Sequence, residues 1–274
     1  MPETPEPILR LGRVLVIAGS DSGGGAGVQA DIKTITALGG YAATAITAIT
    51  VQNTLGVSAV HELPAELVRA QARAVLEDIG ADAIKTGMLA NLAIVEAVAE
   101  VLDEAREAPA VIDPVLAAKD GRALLDPEAI QALAALLIPR AALLTPNAEE
   151  ARILTGHEVR DLDDQRRVGE ILLQRGAEAV LIKGGHVPGE TVTDLLVTPR
   201  GERRFEGVRQ KHRHTHGTGC TLASACATGL AQGLELEDAV ARAFAYTAAA
   251  VARPLGLGGG AGPMDHGWPL RGKA

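Results

Sequence analysis

Short, mainly apolar runs alternate with segments of helical pattern along most of this chain. Such continuous runs are typical of strands that are buried on both faces of a sheet. The alternation predicts an α/β fold in which helices cover both sides of a mostly parallel sheet. Two further segments, residues 191–198 and 202–208, predict a hairpin. Helical stretches separate the apolar runs at residues 13–18, 81–85, 110–113, 141–144 and 179–182.

The composition is that of an ordinary folded protein. The chain has 274 residues, of which 47% are apolar and 22% charged, enough for one or two domains. We expect residues 1–12 to be a flexible tail and residues 13–274 to form a single domain. Aromatic residues make up only 2%, so a ligand cage of stacked rings is not expected. The net charge of −8 argues against a nucleic-acid partner.

Nothing in the sequence predicts contact with a membrane. No apolar run approaches the length of a membrane span, and the N-terminus lacks the pattern of a signal peptide. The two cysteines, Cys220 and Cys226, would project about 240° apart on a helix and could not bond to each other within one chain. Reduced thiols suit the cytoplasm, which is the location we expect.

Polar and glycine residues gather where the predicted strands end. In an open α/β sheet, ligands bind outside the carboxyl ends of the strands. The sequence therefore predicts a binding site at this edge, built from Gly19, Gln52, Gly87, Asp113, Asn147 and Lys183.

The sequence T-H-G-T-G-C at residues 215–220 leads into a helix of small residues, predicted over residues 221–232. Its glycines permit a tight turn and leave the N–H groups of residues 217–220 uncovered. The helix adds unpaired donors and the positive end of its dipole, which suit a phosphate that gains charge during a reaction. The alternative is an ordinary turn before a core helix. At a helix start, the pKa of the Cys220 thiol is expected to fall.

A second glycine-rich loop, residues 19–27, joins the first strand to a helix. It invites a dinucleotide-binding interpretation, but its spacing matches G-x-G-x-x-G only loosely. Asp31 lies one turn into the helix that follows and is a candidate functional carboxylate. The alternative is a solvated carboxylate that interacts favourably with the helix dipole. The amides of Gln52 and Asn53 could hydrogen-bond a heterocycle or cap the next turn.

A basic segment precedes the second glycine turn. Between residues 203 and 214 five basic residues face one acid, Glu206, and this local charge of +4 would attract a polyanion. The alternative is a solvated hairpin face. His212, His214 and His216 alternate and would point the same way on an extended segment, which raises a metal site as a less favoured alternative.

Taken together, these motifs resemble the hydroxymethylpyrimidine and phosphomethylpyrimidine kinases of thiamin biosynthesis, members of the ribokinase-like superfamily. The resemblance runs from about residue 14 to residue 266. Each motif alone is weak, but their order and spacing are those of the family. They are A-G-S-D and G-G-A-G-V-Q-A-D at residues 18–21 and 24–31, Q-N-T at 52–54, K-T-G-M at 85–88, D-P-V at 113–115, T-P-N with Glu150 at 145–150, K-G-G-H at 183–186, and T-H-G-T-G-C at 215–220.

The resemblance implies a three-layer α/β/α sandwich. It also implies transfer of the γ-phosphoryl group of ATP, with Mg²⁺, to the hydroxymethyl group of 4-amino-5-hydroxymethyl-2-methylpyrimidine, and a second transfer to the monophosphate. The family pattern sets the pyrimidine against Gly19, Asp31, Gln52, Met88 and Val115.

The resemblance also implies a catalytic set of Gly217, Thr218, Gly219, Cys220 and Lys183, in which the backbone N–H groups of residues 217–220 hold the transferring phosphoryl group. Cys220 stands where sugar kinases of the superfamily carry an aspartate base. A loose phosphoryl-transfer transition state demands little base catalysis, so a thiol is tolerable there.

For ATP, the resemblance implies contacts with Asn147, Lys183, Gly217 and Gly219. Glu150 and Asp113 would hold Mg²⁺ indirectly or through water. The alternative roles are helix capping for Asn147 and Glu150, and an ion pair at a strand end for Lys183. Small members of the superfamily form dimers, so a homodimer is expected.

Two segments depart from the family pattern. Residues 258–263 read G-G-G-A-G-P, without the Lys or His that relatives often place there, and residues 118–122 differ from the usual K-S-G-D form. Two other functions stay open: a pyridoxal or pyridoxine kinase, and a non-catalytic sensor of pyrimidines or nucleotides on the same fold.

Overall fold

The computed structural model describes residues 10–117, 124–186 and 189–271. Most of the expected N-terminal tail and the departing loop at residues 118–122 lie outside the described residues. At the end of that tail, Gly12 already belongs to the fold, because its carbonyl accepts the N–H of Tyr41 at 2.9 Å.

One sheet of nine strands forms the centre of the part of the chain that the structure describes. Its strand order is β3-β2-β1-β4-β5-β6-β7-β8-β9. The strands from β2 across to β7 are mutually parallel, whereas β3, β8 and β9 pair with their neighbours in antiparallel fashion. The strands are β1 (Arg13–Asp21), β2 (Tyr41–Asn53), β3 (Gly56–Glu62), β4 (Ala83–Thr86), β5 (Ala110–Ile112), β6 (Leu143–Leu144), β7 (Val180–Ile182), β8 (Thr191–Thr198) and β9 (Gly201–Val208).

Helices cover both faces of this sheet. They are α1 (Gly27–Ala37), α2 (Ala65–Asp78), α3 (Leu92–Glu104), α4 (Pro127–Ala132), α5 (Ala148–Thr155), α6 (Leu162–Gln174), α7 (Thr218–Ala231) and α8 (Leu236–Val251). A π-helical turn (Leu133–Leu137) and a 3₁₀ turn (Ile138–Arg140) extend α4. Further 3₁₀ turns lie at Gly184–His186 and Trp268–Leu270. In the described ranges, no helix combines the length and the apolar character needed to cross a bilayer.

The side chains of β1 show why the molecule has three layers. Because successive residues of a strand point to opposite faces, Leu15 and Ile17 pack with α2 to α6, whereas Val14 and Val16 pack with α1, α7 and α8. All four side chains are at most 1% exposed. The predicted α/β sandwich with a mostly parallel sheet is therefore confirmed.

Two local features differ from the sequence-based expectation. Strand β3 was not predicted, because most of its residues are exposed at the sheet edge and it contains no continuous apolar run. Helix α7 begins at Thr218 rather than at residue 221, since Gly217 adopts a left-handed conformation (φ = 84°) and serves as its N-cap. The helix start therefore includes Gly219 and Cys220.

Candidate active site

A cavity of about 780 Å³ opens at the carboxyl ends of the parallel strands. The loops after β1, β4, β5 and β7 contribute to it, and so do the end of β2 and the first turn of α7. Apart from Asp31, every residue expected in the site lines this cavity: Gly19, Gln52, Met88, Asp113, Val115, Asn147, Glu150, Lys183, Gly217, Thr218, Gly219 and Cys220.

The first turn of α7 supplies backbone donors to the cavity. Since no helical residues precede Thr218, the N–H groups of the first turn have no acceptor within the helix. Two features require a glycine at position 217: its φ is positive, and a Cβ on it would overlap the carbonyl oxygen of Gly25. The turn is therefore pressed backbone to backbone against the first glycine loop and forms a potential anion site.

Lys183, at the end of β7, faces this turn. Its Nζ donates to Asp113 Oδ1 at 2.8 Å and lies 3.8 Å from Glu150 Oε2. A Cβ on Gly219 would come within 3.1 Å of the same Nζ. Burial opposes the charge, but the two carboxylates raise the pKa of Lys183 above its usual value. An ammonium group is thus fixed beside the N-terminus of α7. The ion pair that was the alternative role for Lys183 is present in the structure.

Asn147 and Glu150 form a capping box at the start of α5. The N–H of Glu150 donates to Asn147 Oδ1 at 2.9 Å, and Glu150 Oε2 accepts the N–H of Asn147 at 2.7 Å. The capping alternative is therefore realised as well. Burial, together with the charge of Asp113, raises the pKa of Glu150 to about 7 against the opposing effect of Lys183.

The oxygen ligands at this wall fit Mg²⁺ held through water. Asp113 accepts hydrogen bonds from Lys183 and, at 3.2 Å, from Thr145, both on Oδ1, and Glu150 uses Oε2 in the capping box. These bonds leave the other oxygen of each carboxylate, Asp113 Oδ2 and Glu150 Oε1, for a water of the metal ion. Among the described residues, no group of three or more His, Cys, Asp or Glu side chains is placed to hold a metal ion. Magnesium commonly uses one or two carboxylates, waters and substrate phosphates, so two carboxylates suffice.

The loop after β1 folds around its own carboxylate. Asp21 accepts the backbone N–H groups of Gly23, Gly25 and Ala26 at 2.8, 3.0 and 2.8 Å. Burial works against ionisation, but hydrogen bonds from His216 and from the N–H groups of Ala26 and Gly23 lower the pKa of Asp21. Because Asp21 uses these donors, they do not support the dinucleotide interpretation.

The expected position of Asp31 was wrong. Its carboxylate is fully buried, accepts Lys85 Nζ at 2.9 and 3.0 Å and Ser224 Oγ at 2.7 Å, and does not line the cavity. It therefore does not face the cavity, and it is not a solvated carboxylate at the helix dipole. The start of α1 packs against α7 and the sheet, so Asp31 points towards Lys85 of β4 and away from the cavity.

The expected pKa of Cys220 was also wrong. Burial raises it to about 11, although Lys85 and a hydrogen bond from the Gly27 N–H act in the opposite direction. The surrounding protein thus outweighs the helix start, and the group is a neutral thiol at pH 7. Cys220 and Cys226 are both free, as expected.

Lys85, Asp194 and His216 also line the cavity, although none of them belongs to the predicted catalytic, substrate, ATP or metal sets. Asp194 accepts the N–H of Gly184 at 2.8 Å, which holds the loop after Lys183, and burial raises its pKa to about 6. A charged residue within a mainly apolar strand was the available signal for Lys85 and Asp194. His216 lay inside a recognised motif, but its partners are far away in sequence.

The basic segment and the alternating histidines divide in the structure. Arg203 and Arg204 pair with Glu237 and Glu202, so part of the local positive charge is neutralised. The rings of His212 and His214 lie 5.9 Å apart, whereas His216 reaches Asp21 instead. The three histidines therefore do not converge on one point.

We expect replacement of Lys85 by methionine to lower the free energy of unfolding by about 3–5 kcal/mol, because Asp31 would become a buried, unpaired charge. The double variant Lys85→Met/Asp31→Asn should recover most of this loss. Urea denaturation would measure both. As a control, Arg73→Met breaks an exposed pair with Glu104 and should cost less than about 1 kcal/mol. Equal losses in the two single variants would contradict the assigned ion pair.

The pKa of Glu150 predicts a pH dependence of stability. It is raised from 4.5 to about 7 in the folded protein, so the folded state holds this proton more tightly than the unfolded state. The free energy of unfolding should therefore fall as the pH rises from about 4.5 to 7, by about 1–3 kcal/mol from this group. Glu150→Gln should remove that part of the slope, whereas Asp194→Asn should affect mainly the region below pH 6. If plots of the free energy of unfolding against pH are parallel for wild type and Glu150→Gln, the raised pKa of Glu150 is wrong.

Comparison with known proteins supports the resemblance. A sequence model of the phosphomethylpyrimidine kinase family matches residues 21–265. The hydroxymethylpyrimidine/phosphomethylpyrimidine kinase of Streptomyces coelicolor is 49% identical over 266 residues, which cover 97% of this chain and 98% of the relative.

Solved structures agree with this match. The phosphomethylpyrimidine kinase of Clostridium difficile has a TM-score of 0.78 at 43% identity and covers 87% of this chain and 99% of its own. The pyridoxal kinase of Staphylococcus aureus in complex with ADP has a TM-score of 0.89 at 35% identity and covers 96% of both chains. These likenesses confirm the ribokinase-like fold, and the chain belongs to the phosphomethylpyrimidine kinase family.

Proposed function

We propose that this chain transfers the γ-phosphoryl group of ATP to 4-amino-5-hydroxymethyl-2-methylpyrimidine and then to the resulting monophosphate, in thiamin biosynthesis. Family membership supports a kinase of this class. The observation that carries the proposal is one continuous cavity, in which an amide and a thioether stand at one wall and an anion-binding helix start with an ammonium group at another.

The heterocycle would lie against Gly19, Gln52, Met88 and Val115. The Gln52 amide offers a donor and an acceptor, which match the amino group and ring nitrogens of an aminopyrimidine. A Cβ on Gly19 would lie 3.2 Å from Met88 Sδ, so the glycine keeps the space beside the thioether open for a flat ring. Asp31 does not belong to this set; it lies outside the cavity and forms a buried ion pair with Lys85.

The phosphoryl group would pass between this ring and the start of α7. The first-turn N–H groups and Lys183 point positive charge at one place in the cavity, and fixed charge of this kind would stabilise the transition state. With a pKa of about 11, Cys220 is a protonated thiol at neutral pH and is therefore not available as a base. Its thiol lies beside the same turn, and a loose transition state requires no strong base.

ATP would extend from this point towards α8. The cavity continues there along Val192, Val208, Phe244 and Val251, an apolar surface that suits an adenine ring. Asn147 uses its amide oxygen in the capping box, so its NH₂ group is the part that would meet a phosphate. Asp113 and Glu150 would hold Mg²⁺ through water, and the ion would neutralise charge on the phosphates of ATP.

A second candidate is phosphorylation of pyridoxal. The specific observation in its favour is that the TM-score with the Staphylococcus aureus pyridoxal kinase, 0.89, exceeds that with the Clostridium difficile phosphomethylpyrimidine kinase, 0.78. Both substrates carry a hydroxymethyl group on a heteroaromatic ring, so the same phosphoryl site would serve either.

We also propose a homodimer in the cytoplasm. The exposed side chains of Ile49, Val51 and Leu55, which are 42%, 58% and 75% accessible, are apolar surface that a second subunit would cover. The two free thiols are compatible with a reducing compartment.

Product analysis by mass spectrometry tests the proposed function. Purified protein with Mg-ATP is offered the hydroxymethylpyrimidine and pyridoxal in separate reactions. Mono- and then diphosphate from the pyrimidine is the expected result. Phosphorylation of pyridoxal alone would replace the proposal by the second candidate. Ligand binding without ATP turnover would indicate a sensor.

Two substitutions in α7 separate the backbone site from the thiol. Gly219→Val should reduce kcat by more than about a thousandfold, because its side chain would enter the space between the N–H donors and Lys183. Cys220→Ala should reduce kcat by about ten- to a hundredfold. Cys226→Ala, the same change on a residue outside the cavity, is the control. Small and equal losses for Gly219→Val and Cys220→Ala would defeat the anion-site assignment.

A further inference from the structure

The ring of His216 connects two parts of the site that are distant in sequence. Its Nε2 lies 3.1 Å from Asp21 Oδ2 and 2.8 Å from the amide group of Gln52. A Cβ on Gly25 would come within 2.6 Å of the ring, so the glycine makes room for it. Only 15% of the His216 side chain is exposed, which indicates a fixed position.

Asp21 determines which nitrogen of His216 carries a proton. As an ionised carboxylate Asp21 can only accept hydrogen bonds, and it already accepts three backbone N–H groups. A ring nitrogen that faces it at 3.1 Å must therefore be a donor. The proton lies on Nε2.

This proton in turn determines the orientation of the Gln52 amide. The structure places the amide nitrogen of Gln52 2.8 Å from Nε2, but a protonated Nε2 cannot accept a hydrogen bond. We therefore assign the reversed orientation, in which the amide oxygen faces Nε2 and shares the single hydrogen of Nε2 with Asp21 Oδ2. In the unreversed orientation the amide oxygen lies 3.3 Å from Thr50 Oγ1, but the single hydrogen of Thr50 has a shorter partner in the Ser20 carbonyl, at 2.9 Å. The Thr50 oxygen can then only accept, and its partner must be the amide NH₂ group. Two independent neighbours thus favour the same orientation.

We propose that His216 is a specificity-determining positioning residue, whose Nε2–H fixes the Gln52 amide and thereby the order of donor and acceptor presented to the substrate ring. This rests on the proposed function, in which Gln52 contacts that ring. The fixed amide keeps one lone pair on its oxygen and one hydrogen on its nitrogen for the ligand.

The ligand chemistry selected in this way is an amino group next to a ring nitrogen. The amino group would donate to the amide oxygen, and the ring nitrogen would accept from the amide NH₂ group. This pair exists on a 4-aminopyrimidine edge, whereas pyridoxal has no ring amino group. An amide free to rotate would present the reverse order part of the time and would bind the aminopyrimidine less well.

Kinetics of His216 variants test the proposal. His216→Met keeps the bulk but removes the donor, and should raise KM for the hydroxymethylpyrimidine by about ten- to a hundredfold. Its kcat should change by less than about threefold, and KM for pyridoxal should change little. His216→Gln restores an N–H donor and should recover most of the affinity. His214→Met is the control on the same segment and should leave both KM values near wild type.

Nitrogen NMR of the ligand-free protein provides a direct readout. Long-range ¹H–¹⁵N correlations should show His216 protonated on Nε2, with the signal assigned from its loss in His216→Gln. A neutral ring protonated only on Nδ1 would overturn the proposal. If the wild type is active and His216→Met has the same KM for the hydroxymethylpyrimidine, the proposal is also overturned. If the wild type phosphorylates neither ring, the proposed function fails first and the specificity proposal fails with it.

Discussion

The backbone contact between the turns at Gly25 and Gly217 is the constraint on which the site depends. A Cβ on Gly217 would overlap the Gly25 carbonyl oxygen, so the two turns meet without side chains between them. This contact brings the starts of α1 and α7 together, and the Gly27 N–H reaches the Cys220 sulfur. It also leaves the space beside Gly25 that His216 occupies. Two segments almost 200 residues apart therefore act as one structural unit.

Around this contact, buried charges are arranged in pairs. Lys85 and Asp31 lie beneath the turn at 0% side-chain exposure, and Lys183 contacts Asp113 in the cavity wall. Removing such charges from water costs more than burying apolar residues of the same size. An arrangement of this kind is therefore expected where a charged ligand is bound. The ammonium groups come from the ends of parallel strands, which explains why they meet at one edge of the sheet.

Several features of the site followed from local chemistry. Because each parallel strand ends at the same edge, the residues after the strand ends could be assigned to one cavity, and Gln52, Asp113, Asn147 and Lys183 all line it. The position of Asp31 could not be found in this way, because its direction depends on how α1 packs against α7. The pKa of Cys220 was predicted from the helix start alone, but burial by surrounding segments dominates it.

Periodicity and glycine placement act over a few residues, so the α/β class, the two glycine turns and the sheet edge at which the cavity opens could be predicted from local sequence alone. Which polar groups became partners depended instead on how distant elements pack together. Lys85 holds Asp31 and His216 holds Gln52 across 54 and 164 residues of sequence. Hydrogen bonds and desolvation depend on distances of a few ångströms, and distances between remote residues are fixed only when the layers pack.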